Sequence, residues 1–226
     1  MVTKKMQGMG FWNLLSEAEQ DALSGLGIRK DYSAKRTLCV EGDPATHVFV
    51  LRSGWVKIFS ATKDGHEIVL ALRGEGDIVG ETAGETTGRR NATIQAIDAV
   101  QALIVGYDKF GSFLENNPGA SRAYRRVVAR KFNDADAIRR LRDVTNGAQR
   151  LAGLLLDLAE LHGHGPDNAR HVVMPLTQGE LASLAGTSRA TLTRAYKNWR
   201  QRGFVLTGPH HITILDPVGL RKLAGQ

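Results

Sequence analysis

The sequence predicts an α+β chain: an N-terminal antiparallel β jelly roll, a long dimerisation helix and a C-terminal winged helix-turn-helix. Three observations lead there. From about Thr37 to Val105, short β-rich runs alternate with the turn clusters EGDP, RSG, TKDG and RGEGD. After NNPG, apolar residues recur at spacings of three and four on an arginine-rich segment. Near the end, TQGELASLAGTSRATLTRAYKNWRQRGFV reads as two short helices around a glycine turn.

Taken in order, Ser16 to Ser24 (SEAEQDALS) is a short helix with Ser16 as N-cap and Glu19 at capping-box spacing. The strand-like runs are TLCV, HVFVLR, WVKIFS, EIVLAL, DIVG, ATIQAI and VQALIV, which suit a small jelly roll or barrel. Tyr107 to Leu114 makes a helical turn, and Pro118 falls in the first turn of the long helix, where a missing N–H is harmless. The stripe of that helix is Tyr124, Val128, Ala135 and Ile138, with Val127, Phe132 and Leu141 beside it. Such a stripe packs on its own domain or on a second copy of itself. Its length favours the second copy, because the β domain alone would not occupy it.

The pattern breaks at Val144-Thr145-Asn146-Gly147, where Asn146 is placed to cap a new helix with Leu151, Leu154, Leu155, Leu158 and Leu161 on its stripe. The expected domains are residues 1–115, 116–145 and 146–226: β domain, long helix with hinge, and winged domain. A polar loop, HGHGPDNAR, interrupts the last of these. Beyond it, Thr177 and Glu180 form a capping box, Gly186 supplies a left-handed turn and Ser188 caps the second helix. Leu192, Ala195 and Trp199 should face inward, with Arg189, Thr191, Arg194 and Lys197 outward. Phe204-Val205-Leu206, a Gly-Pro turn and Ile212 to Leu215 read as a β-hairpin wing. A helix of this kind enters a major groove, and arginine forks suit guanine O6 and N7.

The bulk numbers agree. A net charge of +7 favours a polyanionic partner. The lone Cys39 can supply neither an internal disulfide nor a multi-cysteine cluster and fits a reducing compartment. No stretch approaches the roughly 20 apolar residues of a membrane span, and MVTKKMQGMGFWNLL has no leader pattern, so a cytoplasmic protein is expected.

The segment GETAGETTGRRNAT, Gly80 to Thr93, interrupts the strands with small and charged residues. Gly80 permits close backbone approach, Glu81 suits a sugar hydroxyl, Arg90 suits a phosphate, and Asn91 could add a donor. A plain surface turn is the competing reading. With this loop, the β domain, long helix and winged module resemble, over nearly the whole chain, the CRP/FNR family of bacterial transcription regulators. GETA and RNAT stand at the spacing of that family's phosphate-binding cassette.

The resemblance implies that Glu81 bonds a ribose 2′-hydroxyl, Arg90 a cyclic phosphate, and Gly80 and Ala83 lend backbone contacts. It makes the long helix a dimerisation helix, Asn146 the hinge, and double-stranded DNA, a second copy and RNA polymerase the partners. Departures accompany it: Thr82 replaces an apolar residue, Gly84-Glu85 stand where another is common, and Asn91 replaces a small one. Where cAMP-responsive members carry Thr-Ser to read adenine, this chain has Ala135 and Asp136, and an aspartate suits guanine N1 and N2 donors better. The implied effector set is Gly80, Glu81, Thr82, Ala83, Arg90, Asn91, Lys131, Ala135 and Asp136. A cyclic nucleotide such as cAMP or cGMP, another small nucleotide or anion, and no ligand at all stay open; no cofactor is required.

The expected DNA-facing set is Thr177, Gln178, Ser188, Arg189, Ala190, Thr191, Arg194 and Lys197. No P-loop, metal motif or nucleophile-base pair points to an enzyme. His162, His164, Asp167 and His171 match no ligand spacing with a mechanism. His210-His211 suit a phosphate contact or plain exposure; Cys39, Trp12 and Trp55 are expected to pack.

Cyclic AMP receptor relatives read Ser-Arg-Glu-Thr at the start of the second helix, where this chain has Ser188-Arg189-Ala190-Thr191. Without the acceptor, one base pair per half-site should relax or change, a difference of about 1–3 kcal/mol. Selection from random DNA should therefore return a palindrome related to the family's but different at that pair; an unaltered half-site with full preference there contradicts this.

Overall fold

The computed structural model describes residues 10–62, 67–85, 88–144, 146–162, 170–173, 176–208 and 211–225. Between Asn133 and Asp134 the chain divides into two compact units.

The first unit opens with a 3-10 turn at Trp12–Leu14 and helix α1, Glu17–Leu26. Ser16 and Glu19 make the expected reciprocal capping box on α1. Glu19 does more than that: its Oε1 also accepts from the Ala120 backbone N–H at 2.7 Å, at the start of the long helix.

Eight strands follow: β1 (Ile28–Tyr32), β2 (Thr37–Cys39), β3 (His47–Ser53), β4 (Val56–Ala61), β5 (Glu67–Arg73), β6 (Ile78–Val79), β7 (Thr93–Ala96) and β8 (Val100–Gly106). They pair antiparallel in two four-stranded sheets, ordered β1-β8-β3-β6 and β2-β7-β4-β5. β1 lies outside the runs the pattern predicts. Its sequence IRKDY buries only Tyr32, so no alternation marks it, and pairing with β8 along one edge makes it a strand.

Strands β3 and β8 are covered on both faces, which accounts for the near-continuous apolar runs HVFVLR and VQALIV. Val48, Val50, Leu103 and Val105 point to one cluster, with Phe11, Leu23, Ile78 and Phe110. Phe49, Leu51, Val100 and Ala102 point to the other, between the sheets, with Tyr32, Val56, Val79 and Ile94.

Helices α2 (Glu81–Glu85), α3 (Tyr107–Asn116) and α4 (Pro118–Val144) complete the unit, the last running on past Asn133. The stripe of α4 divides. Ala120, Ala123, Tyr124 and Val127 are buried in the unit's own core, while Phe132 is 68% exposed. The first half of the stripe is thus spent internally rather than on a second copy; the side chains of Ala135, Ile138 and Leu141 lie outside the described residues. Trp12 is buried, with the Arg52 guanidinium 3.3 Å from its ring centroid, whereas Cys39 is only half-buried.

In the second unit, Asn146 Oδ1 accepts from the N–H groups of Ala148 and Gln149 at 3.0 Å, capping α5 (Gly147–His162). Leu151, Leu155 and Leu158 are buried as expected; Leu161 lies outside the described side chains. Helices α6 (Gln178–Leu184) and α7 (Arg189–Gln201) form the helix-turn-helix, each capped by the expected Thr177 or Ser188. The wing has three strands rather than two, because β9 (Arg170–Val173) pairs with β11 (His211–Ile214) opposite β10 (Val205–Gly208). Four residues after a polar loop carry no period long enough to read. Helix α8 (Pro217–Ala224) closes the chain, with Asp216 as N-cap and Gly225 as a left-handed C-cap.

Phe11 is fully buried, with edge-to-face contacts to Phe110 at 5.8 Å and Tyr124 at 6.1 Å between centroids. Phe11→Ala should destabilise the first unit by about 3–5 kcal/mol, read as a fall in its urea midpoint. A shift below 1 kcal/mol contradicts this packing.

Candidate functional site

The segment after β6 starts from Gly80, whose φ is +81°. A Cβ there would lie 2.5 Å from Arg90 Nη1, so dihedral and space both require glycine. The expected loop is in part a helical turn, α2, which buries Glu81 and Ala83 and leaves Thr82 exposed. Asn91 is exposed as well.

Arg90 is only 3% exposed. Its Nη1 donates to Gly80 O at 3.1 Å and to the Tyr107 hydroxyl at 3.4 Å, and its Nη2 to His47 O at 2.8 Å. The Tyr107 hydroxyl in turn donates to Gly80 O. The guanidinium carbon stands 5.3 Å from the Phe49 ring centroid. The backbone is pinned too: Arg90 N donates to Asp43 O at 2.8 Å, and Gly42 N donates to Arg90 O at 2.7 Å. Among the described residues no carboxylate pairs with Arg90. The guanidinium is thus withdrawn from water onto neutral carbonyl and phenol oxygens, which answer its donors without balancing its charge.

Glu81 faces the long helix. Lys131 Nζ donates to Glu81 Oε1 at 2.8 Å and also to Ile78 O. Burial pushes the Lys131 ammonium below its ordinary pKa, and the Glu81 carboxylate opposes that shift. Thus Gly80 and Arg90 meet, and so do Glu81 and Lys131. The side chains of Ala135 and Asp136 lie outside the described residues. Sequence reasoning missed His47 and Tyr107. One contributes a backbone carbonyl, which leaves no mark on residue type; the other opens α3 and bonds a carbonyl 27 residues away.

On α7, Ser188, Arg189, Ala190, Arg194 and Lys197 are exposed along one side, with Leu192, Ala195, Tyr196 and Trp199 buried behind them. Thr191 is half-buried; its hydroxyl pairs with that of Ser188 at 3.0 Å. Thr177 and Gln178 are exposed at the start of α6, but the Thr177 hydroxyl is occupied by Glu180. Arg200 Nη1 donates to Thr207 Oγ1 at 2.9 Å, tying α7 to the wing.

Among the described residues no group of three His, Cys, Asp or Glu could hold a metal ion, and no helix is long and apolar enough to cross a membrane. His164 and Asp167, and the side chains of His162 and His171, lie outside the described residues, as does His210; His211 stands half-buried in β11.

Residues 29–117 match the cyclic nucleotide-binding domain family, and residues 149–223 the Crp-like helix-turn-helix domain. The chain is 31% identical over 199 residues to a CRP-like cAMP-activated global transcriptional regulator of Mycobacterium tuberculosis, covering 86% of this chain and 87% of that one. It is 26% identical over 219 residues to the cyclic AMP receptor protein of Thermus thermophilus, covering 97% and 98%. In fold it is similar to the c-di-GMP responsive global regulator CLP of Xanthomonas campestris, with a TM-score of 0.75, 20% identity, and 88% and 99% of the two chains covered. The curated relatives are transcription regulators, not enzymes.

Burial lowers the His47 pKa from its ordinary 6.5, and the charges of Arg90 and Lys30 lower it further. Protonation therefore favours the unfolded chain. The His47 contribution to stability is full above about pH 6.5 and is lost as pH falls through that value toward the folded pKa. The melting temperature of the first unit should drop over this window, and His47→Gln should remove part of the drop; an equal drop in both proteins contradicts the assignment.

Proposed function

Since this chain belongs to the CRP/FNR family of transcription regulators, we propose that it acts as a homodimer on a palindromic duplex site, modulated by a small nucleotide or related effector in its β domain. The observation that carries this reading is the row of exposed cations on α7, Arg189, Arg194 and Lys197, set on a buried apolar back. Two such rows reading one palindrome must stand about one DNA turn apart, near 34 Å. The exposed Phe132 and the remaining stripe of α4 are the surface proposed for pairing. RNA polymerase is the protein partner proposed for this role.

For the effector, the Arg90 fork is the phosphate seat, and Glu81, with one oxygen on Lys131, keeps the other for a sugar hydroxyl. Asp136 is proposed to face the base, which suits guanine donors and makes cGMP as good a candidate as cAMP. Such a ligand acts only by binding the two arrangements of the dimer unequally.

A second reading is favoured by the same geometry. Arg90 already has Gly80 O, His47 O and the Tyr107 hydroxyl, and Glu81 already has Lys131. A pocket satisfied by its own protein can be vestigial, in a dimer that binds DNA constitutively.

Calorimetric titration with cAMP and cGMP, alongside light scattering and a DNA shift assay, separates the readings. The effector reading expects heat that Arg90→Ala abolishes and a DNA affinity that changes with nucleotide. No heat and an unchanged shift leave the constitutive reading. A chain that stays monomeric with and without duplex overturns both.

A further inference from the structure

The aim of α7 depends on the turn before it, and that turn is held from α5. Gly186 is left-handed, with φ +61°, and the turn closes through Gly186 N to Ser183 O and Thr187 N to Ala182 O, both 2.9 Å. The carbonyls where α6 ends have no onward helical partner. Arg150 on α5 supplies partners: its Nε donates to Ala185 O at 3.0 Å and its Nη2 to Gly186 O at 2.6 Å. One planar fork thus spans two consecutive carbonyls, three residues before Arg189.

A separate contact points the same way. A Cβ on Gly147 would lie 2.1 Å from Thr187 Oγ1 and 3.4 Å from Thr191 Cγ2. The first residue of α5 is therefore pressed against the turn and the first turn of α7. The start of α5 is itself fixed by Asn146, which caps Ala148 and Gln149 and whose own N–H donates to Gln149 Oε1 at 2.8 Å.

We propose that Arg150 is a positioning residue for DNA recognition, setting the aim of α7 from the first turn of α5 without touching DNA. The proposal rests on the DNA-binding reading above. A lysine offers rotatable donors on a single atom in place of a planar fork, so it holds the two carbonyls in a less fixed geometry.

The wild-type chain is first used to select a duplex from random DNA; if it selects none, the DNA-binding reading falls and this proposal with it. Arg150→Gln and Arg150→Lys are then compared on the selected duplex and on a scrambled one over a range of salt, with melting curves for each protein. Affinity for the selected duplex should fall about 10- to 100-fold in Arg150→Gln, the scale of one spoiled bidentate base contact, and less in Arg150→Lys. Affinity for the scrambled duplex and the salt slope should hold. A salt slope reduced by about one in Arg150→Gln but not in Arg150→Lys would make Arg150 a phosphate contact instead. A preserved preference for the selected duplex, with only the melting temperature lowered, would make it a purely structural residue. If Arg150→Gln does not fold, Arg150→Lys decides: undiminished preference overturns the proposal.

Discussion

Withdrawing a guanidinium from water carries a penalty of several kcal/mol unless its donors are answered, and much of the β domain is arranged to answer Arg90. β3 supplies the His47 carbonyl and the Phe49 ring, the end of β6 supplies the Gly80 carbonyl, and the first residue of α3 supplies a hydroxyl. The turn at Gly42 and Asp43 holds the arginine's own backbone. Elements distant in sequence are thereby tied to one cation. Because its partners are neutral oxygens, the cation is satisfied without being neutralised, and an effector pocket and a vestigial one can both be read from the same atoms.

The second unit uses a fork in the same way. Arg150 also stands on backbone carbonyls, at the turn between α6 and α7. An arginine so placed orients main chain, joining the start of one helix to the turn that precedes another.

Local signals were well legible in the sequence. Ser16, Asn146, Thr177 and Ser188 cap the helices they were expected to cap, because capping is decided within three residues. The strands from β2 to β8 were legible because their apolar runs and turns alternate. β1, β9 and the burial of half of the α4 stripe were not, since each is decided by what packs against it. Gly80, Glu81 and Arg90 could be singled out from residue type, but their pairing, Arg90 with Gly80 O and Glu81 with Lys131, could not; nor could His47 and Tyr107, because their roles lie in a carbonyl and in a contact across the fold. Arg150 had the same obscurity. On a helix surface an arginine looks like ordinary solvated charge until its partners are known.

Glu19 completes the cap of α1 and also holds the Ala120 N–H at the head of α4. One carboxyl group is shared by two helix starts, so neither can be re-registered alone. Sequence drift in the N-terminal helix is consequently transmitted to the long helix, and a segment that carries none of the recognition chemistry becomes constrained by it.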